Sequence, residues 1–315
     1  MTVHTAAPTG APVPEPAPEP AQGPAQGRKR MPTWRKLLRN RNIVFGSLLI
    51  VLLVMTALFA PWLTPMDPLQ QDIWERYAPP QGLFGEDGFN TRYILGADEL
   101  GRDLLSRLIM GSRVSLMVGL IATGISLLVG VVLGAVAGYL GGWVDNVIMR
   151  VMDVLLALPG ILLAIAIVAA LGPNIVNAMV AIAIVRIPAS ARIVRSDVLA
   201  LREEEFVEAA RALGVSHLSI LFKHILMNAW APALVLATLG MGTAIVAEAA
   251  LSFLGLGTQP PQISWGRMLS VGREAIRSAP HVTLYPGLAI MLTVLGFNLL
   301  GDGLRDFFDT RLQDR

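Results

Sequence analysis

Six stretches of the chain stay apolar with few interruptions, at 43–60, 114–139, 148–171, 175–187, 229–254 and 284–300. A helix needs roughly 17 to 25 predominantly apolar residues to cross a bilayer. The pattern therefore predicts an all-α integral membrane protein with six transmembrane helices. The fourth run is short and is punctuated by Asn177, Arg186 and Pro188, so a five-span count stays open. A β-barrel would show alternating segments of about ten residues, whereas these runs are continuous.

Composition agrees: 54% of the chain is hydrophobic, 15% is charged and the mean hydropathy is +0.58. Of the 25 Lys and Arg, 17 fall on the side shared by both termini and 8 on the other. Basic loops are retained in the cytoplasm, which predicts cytoplasmic N- and C-termini. The basic residues flank membrane runs rather than gather on one face, which argues against nucleic-acid binding. With no cysteine, disulfides, thiolate metal sites and a Cys nucleophile are excluded.

Between the runs the chain divides unevenly. Residues 1–27 are rich in Pro and Ala, a composition too poor in buried surface to offset ordering entropy, and residues 1–30 are expected to be a disordered cytoplasmic tail. Arg28, Lys29, Arg30, Arg35, Lys36, Arg39 and Arg41 follow. The flank is too long, and the apolar run after it too extended, for a secretory signal. Trp34 and Leu37-Leu38 fit an interfacial helix on anionic lipid, although a positive-inside anchor is the preferred account. Residues 31–110 read as the first span and an extracytoplasmic loop, proline-rich and irregular in its first half. In its second half Asp98 is expected to cap a helix through Asp103, with Leu104-Leu105 and Leu108-Ile109 as an apolar stripe. Residues 111–315 form the remaining core. No repeat of 20 to 50 residues is present, which excludes a solenoid.

The polar segment at about 188–228 differs from every other loop. Glu203-Glu204-Glu205 favours the positive end of a helix dipole. Ala209, Ala210 and Ala212 permit close approach of another surface, and Gly214 permits a left-handed stop. Ser216 then caps a second helix, with Val215 and Ile220 as a staple, leading into the fifth span. Such a rigid knob suits transmission of movement from a soluble partner; an amphipathic surface helix is the plain alternative.

Candidate chemistry is sparse. No Gly-x-x-x-x-Gly-Lys-Ser/Thr phosphate cradle is present, nor a Gly-x-Ser-x-Gly elbow. His4, His217, His224 and His281 are scattered, and no carboxylate or thiol is spaced to complete a metal site with His217 and His224. His224 is expected to bond the turn leading into the membrane. Ionisable residues inside spans are functional candidates by default. Glu248 either lines a solute path or locks helices across an interface, the lock being preferred. Arg150 and Asp153 are spaced for an i, i+3 ion pair. Gly130 and Gly134 form a small-xxx-small pair for close helix contact.

Three motifs carry a resemblance. Glu208-Ala209-Ala210, then Gly214, then His224-Ile225-Leu226-Met227-Asn228 resembles the EAA loop of ABC importer permeases in the peptide branch, with Met227 where that pattern has proline. Leu95-Gly96-Ala97-Asp98-Glu99-Leu100-Gly101-Arg102-Asp103-Leu104-Leu105-Ser106-Arg107 resembles the segment before the second span of C-type dipeptide and oligopeptide permeases, with Ala97 replacing a usual threonine. Glu248-Ala249-Ala250-Leu251-Ser252-Phe253-Leu254-Gly255-Leu256-Gly257 resembles their fifth-span ending. With a short helix before Asp67 and the terminal Gly301-Asp302-Gly303-Leu304-Arg305-Asp306, the likeness covers nearly everything after residue 30.

The resemblance implies a type I ABC importer permease in a bacterial inner membrane, a transport subunit without enzymatic chemistry. It implies partners: a homologous second permease, two ATPase subunits that bind ATP and Mg, and an extracytoplasmic solute-binding protein. It assigns ATPase docking to Glu205, Glu208, Ala209, Ala210, Gly214, His224 and Asn228. Nickel, glutathione or another small solute is the alternative cargo. The rival of another class is an ion-gradient-driven transporter, for which inverted repeats and broken helices are expected.

Overall fold

The structure, a computed structural model, describes residues 40–81 and 92–308. The expected tail, its basic cluster up to Arg39 and the interfacial helix at Trp34 lie outside them. Among the described residues the chain is helical, and its single β feature is an isolated bridge between Ala97 and Asp103.

Helix α1, Arg41–Leu58, starts at Asn40, whose side chain accepts from Asn42 N and Ile43 N. A short helix, Ala60–Leu63, turns the chain into the first long connection. Helix α2, Leu104–Leu140, continues the stripe at Leu104 and Leu108 directly into the second apolar run. Its cap is Asp103, which accepts from Ser106 N at 2.7 Å, and not Asp98 as expected. Asp98 instead folds the preceding turn, accepting from the backbone N–H groups of Leu100 and Arg102 at 3.0 Å each.

The third run is not one straight span. It divides into α3, Gly142–Leu156, and α4, Gly160–Leu171, bent by 88°. Pro159 has no N–H and drives the residue before it out of helical geometry. At 12 residues and 1.5 Å per residue, α4 alone is about 18 Å long, short of a hydrocarbon core about 30 Å thick. The described residues thus hold five helices long and apolar enough to span, or six when the bent pair counts as one.

The fourth run, weakest in the sequence, becomes α5, Ile175–Leu201, with Pro188 inside it. Much of the segment expected as loop from 188 onward is therefore helix. The reason is packing. Alternating small residues let α5 lie against α2, both helices running the same way: a Cβ on Gly134 would strike Ala191 O, and one on Gly138 would lie 2.9 Å from Arg195 O. Gly130 meets Ser190 likewise. The glycine pair read from sequence thus serves this contact, extended by Gly138.

After α5 come the short helix α6, Glu205–Ala212, then α7, Trp230–Phe253, α8, Trp265–Gly272, and α9, His281–Phe308. At the bundle centre Val118 and Ala122 of α2, Val168 of α4, Ile182 of α5 and Leu251 of α7 share one buried cluster. Leu53, Leu104, Ile245, Trp265 and Phe297 share another. Large apolar side chains on α1, including Phe45, Leu48 and Leu52, face outward, as contact with lipid requires.

Candidate coupling site

Helix α6 is anchored on one face and open on the other. Val207 and Ala210 are buried with Val194 and Val198 of α5, Ala135 of α2, and Ile220, Leu221 and Ile225 beyond the turn. Glu205, Glu208, Ala209 and Ala212 are exposed. Leu213 is 84% exposed and Leu218 70%, so two large apolar side chains flank the open face without covering from their own chain.

The stop after α6 is a Schellman motif. Gly214 has φ +76°, its N–H donates to Arg211 O at 3.0 Å, and Val215 N–H donates to Ala210 O at 3.1 Å. These bonds satisfy the carbonyls a helix end leaves orphaned. Ser216 then caps the next turn, accepting from Ser219 N. Val215 packs against the buried cluster that contains Ile220, the two residues expected as the staple. The second helix is shorter than expected: His217–Ser219 passes into a π-helical turn, Ile220–Ile225. The break before α7 is present although Met227 stands where proline was expected, and Asn228 Nδ2 donates to His224 O at 2.5 Å. His224 thus bonds the turn through its carbonyl.

The neighbouring bundle end holds polar ties the sequence reading missed. Tyr139 Oη lies 2.8 Å from His217 Nδ1. Arg202 donates to Gly138 O at 3.0 Å and to Glu203 at 2.8 Å. Arg195 forks onto Asp145 at 2.5 and 2.6 Å. The expected Arg150–Asp153 pair is replaced by Arg192–Asp153 at 2.5 Å, because α3 crosses close to α5. Apart from the adjacent Arg202 and Glu203, no local spacing signals these partners; they depend on the α2–α5 contact and the bend at Pro159.

At the opposite end, Asp98 Oδ2 lies 2.8 Å from Arg102 Nε and 3.1 Å from Arg107 Nε. The second pair is close but not aligned as a hydrogen bond, since Arg107 Nε has no such partner; Arg107 Nη1 donates to Pro68 O instead. Burial pushes the Glu99 carboxyl above its usual range, with Asp98 adding to the shift and Arg102 opposing it. Burial also raises Asp103, against its bonds to Ser106. A cavity of about 410 Å³ opens beside these charges, lined also by Arg267 and Pro261.

Glu248 is fully buried. It accepts from Ser252 Oγ at 2.5 Å and Thr258 Oγ1 at 3.1 Å. These partners lie on its own helix and on the loop after it, its other oxygen Oε2 is buried without a hydrogen-bond partner, and Ser264, the cap of α8, also interacts with it, so Glu248 ties the end of α7 to the loop and helix that follow.

The sequence profile of the family described as binding-protein-dependent transport system inner membrane component matches residues 130–314. The chain belongs to this family. A second profile, the N-terminal transmembrane domain of oligopeptide transport permease C, matches residues 32–80. The permease is 47% identical to a dipeptide transport system permease protein of Alkalihalophilus pseudofirmus over 89% of each chain. It is 47% identical to a di/tripeptide transport system permease protein of Pseudomonas aeruginosa, over 89% of this chain and 92% of that one. It is also 45% identical to a glutathione transport system permease protein of Pectobacterium atrosepticum, over 89% and 90%. Its fold is similar to a chain of the MetNI methionine ABC transporter in an inward-facing conformation, with TM-score 0.53 and 18% identity, covering 65% of this chain and 97% of that one. The permease is a multi-pass inner-membrane transport subunit of an ABC importer with the type I permease fold. Such a subunit works with ATPase and solute-binding partners, which settles the choice against a gradient-driven transporter.

Proposed function

We propose that this permease is the C-type half of an importer of dipeptides and oligopeptides. It pairs with a homologous second permease to enclose the path. Two ATPase subunits bind ATP and Mg and hydrolyse it, and an extracytoplasmic binding protein delivers cargo; this chain holds no cofactor of its own. Both termini and the α6 knob face the cytoplasm, in keeping with the distribution of basic residues. Two relatives named for dipeptides and di/tripeptides, each 47% identical, support peptide cargo. The glutathione relative, 45% identical, keeps that γ-linked tripeptide as the second reading.

The observation that carries coupling is the anchorage of α6. Glu205, Glu208 and Ala209 present the open face to an ATPase, while Ala210 and the Gly214 stop hold the helix against α5 and α2. Push on α6 and the load passes through buried side chains into two core helices, the rigid-body transmission that packed interfaces allow. His224 and Asn228 fix the turn into α7, and Glu248 fixes the far end of that helix.

Native mass spectrometry of the permease purified gently from its own membrane tests the assembly. A complex with a second permease and ATPase subunits is expected, and dipeptide-stimulated ATP hydrolysis by that complex then tests the cargo. A chain reproducibly free of any ATPase across detergents overturns the reading.

A further inference from the structure

Arg186 follows Ile175, the first residue of α5, by eleven residues. At 1.5 Å per residue it lies about 16 Å along the helix, near the middle of a hydrocarbon core about 30 Å thick. Thr243 of α7 and Thr123 of α2 also sit near the middles of their helices, so three core helices bring polar side chains to one depth.

The guanidinium is half-buried and only partly satisfied. Its Nη1 donates to Thr243 Oγ1. Its Nε is buried with no hydrogen-bond partner. Its Nη2 stands over Gly240, where a Cβ would collide with it and would also lie 2.9 Å from the Thr123 methyl. The Thr123 hydroxyl is itself buried and without a partner.

No carboxylate among the described residues pairs with this cation. Asp145 and Asp153 are held by Arg195 and Arg192, and Glu248 by Ser252 and Thr258. An arginine cannot shed its charge by losing a proton. Charges at this depth face the bundle interior or a water-filled cavity and pair with something. The side chain points at α7 and sits too deep to reach the headgroups, so it does not snorkel.

The buried Nε is closed to a solute, whereas the Nη end of the half-exposed guanidinium keeps N–H donors with no charged acceptor, of the kind that suits a carboxylate. Gly240 lets the Nη2 end seat against the α7 backbone, and a single hydroxyl steers the half-exposed guanidinium without neutralising it. A conducting path needs binding favourable enough to enter and weak enough to leave, which one half-exposed guanidinium supplies.

We propose that Arg186, steered by Thr243, seated over Gly240 and half-exposed, is a carboxylate-binding station midway along the translocation path, pairing in transit with the C-terminal carboxylate of a peptide. This rests on the peptide-import reading above.

The test uses the complete transporter in proteoliposomes, with its second permease, ATPases and binding protein. ATP-driven uptake of one dipeptide is measured as the free acid and as its C-terminal amide, each saturating the binding protein, for wild type, R186Q and R186K. Loss of one charge-assisted hydrogen bond corresponds to about a tenfold change or somewhat more. R186Q is expected to slow free-acid uptake by about that factor and leave the amide unchanged, with R186K retaining most of the free-acid rate. R186Q that slows both forms equally, or neither, overturns the station. Native mass spectrometry of R186Q separates the other source of a carboxylate: loss of the permease pair assigns the counter-charge to the partner subunit and overturns the proposal. A wild type that imports neither form removes the peptide reading and the station together, whereas wild-type uptake with an unimpaired R186Q removes the station alone.

Discussion

The Tyr139 hydroxyl lies 2.8 Å from His217 Nδ1, with the two rings edge to face at 5.9 Å. The last turn of α2 is thereby joined to the turn that follows Gly214, so a core helix touches the knob by a route separate from the buried Val207 and Ala210. A bond of this kind contributes about 1 kcal/mol net.

Tyr139→Phe keeps the ring contact and removes the hydroxyl. Assembly and membrane insertion are expected to be unchanged, while solute imported per ATP hydrolysed falls severalfold in proteoliposomes. An unchanged ratio takes this pair out of the coupling route.

Gly214→Leu places a branched side chain at φ +76°, where a non-glycine residue costs roughly 1 to 2 kcal/mol. ATP-driven uptake is expected to be lost with the chain still inserted, and Gly214→Asn, which tolerates that conformation better, restores much of it. Glu208→Lys reverses the charge of an exposed side chain on α6 without touching the buried face. It is expected to abolish uptake at normal abundance in the membrane; wild-type uptake from both Gly214→Leu and Glu208→Lys excludes the α6 knob from the mechanism.

Gly134→Val forces a side chain into the backbone of Ala191 and Arg195. Overpacking of this sort costs about 1 to 3 kcal/mol, and no flexible side-chain tip is available to move aside. The purified complex is expected to unfold at a lower temperature. Gly124, where an added Cβ meets nothing within 4 Å, is the matched control, and equal melting of Gly134→Val and Gly124→Ala contradicts the assignment of the α2–α5 contact.

Asp98→Asn leaves Arg102 and Arg107 without their shared carboxylate. Breaking a buried ion pair by removing one partner costs about 3 to 5 kcal/mol. The variant is expected to melt lower and to expose the segment ahead of α2 to protease, and unaltered proteolysis there counts against the role given to Asp98.

Glu99 and Asp103 have carboxyls raised by burial from ordinary values of 4.5 and 3.8. A raised acid favours the folded state in its protonated form. That stabilisation is fully present below the ordinary values and is lost as pH rises through the higher folded ones. Hydrogen exchange, corrected for its intrinsic pH dependence, is expected to show the amides of residues 99–106 better protected near pH 4 than at pH 7. Protection that increases with pH reverses the sign and refutes the assignment.

Much of the architecture was legible because bilayer physics is written in runs of residues. The fifth apolar run at 229–254 and the helix Trp230–Phe253 nearly coincide. The Gly214 stop was readable because only glycine occupies that conformation cheaply, and the staple from Val215 to Ile220 because it is local. The bend in the third run sits at Leu158-Pro159-Gly160, a breaker inside an otherwise continuous apolar run. The length of α5 was not readable: Arg186 and Pro188 argue for a boundary, and only contact with the glycines of α2 makes a helix through them favourable.

The sequence by itself determined what depends on near neighbours and on the solvent: helical spans, the short connecting helix with its glycine stop, the absence of a phosphate cradle, and a family likeness carried by contiguous motifs. Tertiary structure alone decided which charges meet. Asp153 pairs with Arg192 instead of Arg150, Asp98 holds Arg107 instead of a helix start, and Arg186 keeps a donor unspent. Coulombic and hydrogen-bond partners are chosen by distances of a few ångströms between residues that the fold, and not their spacing along the chain, brings together.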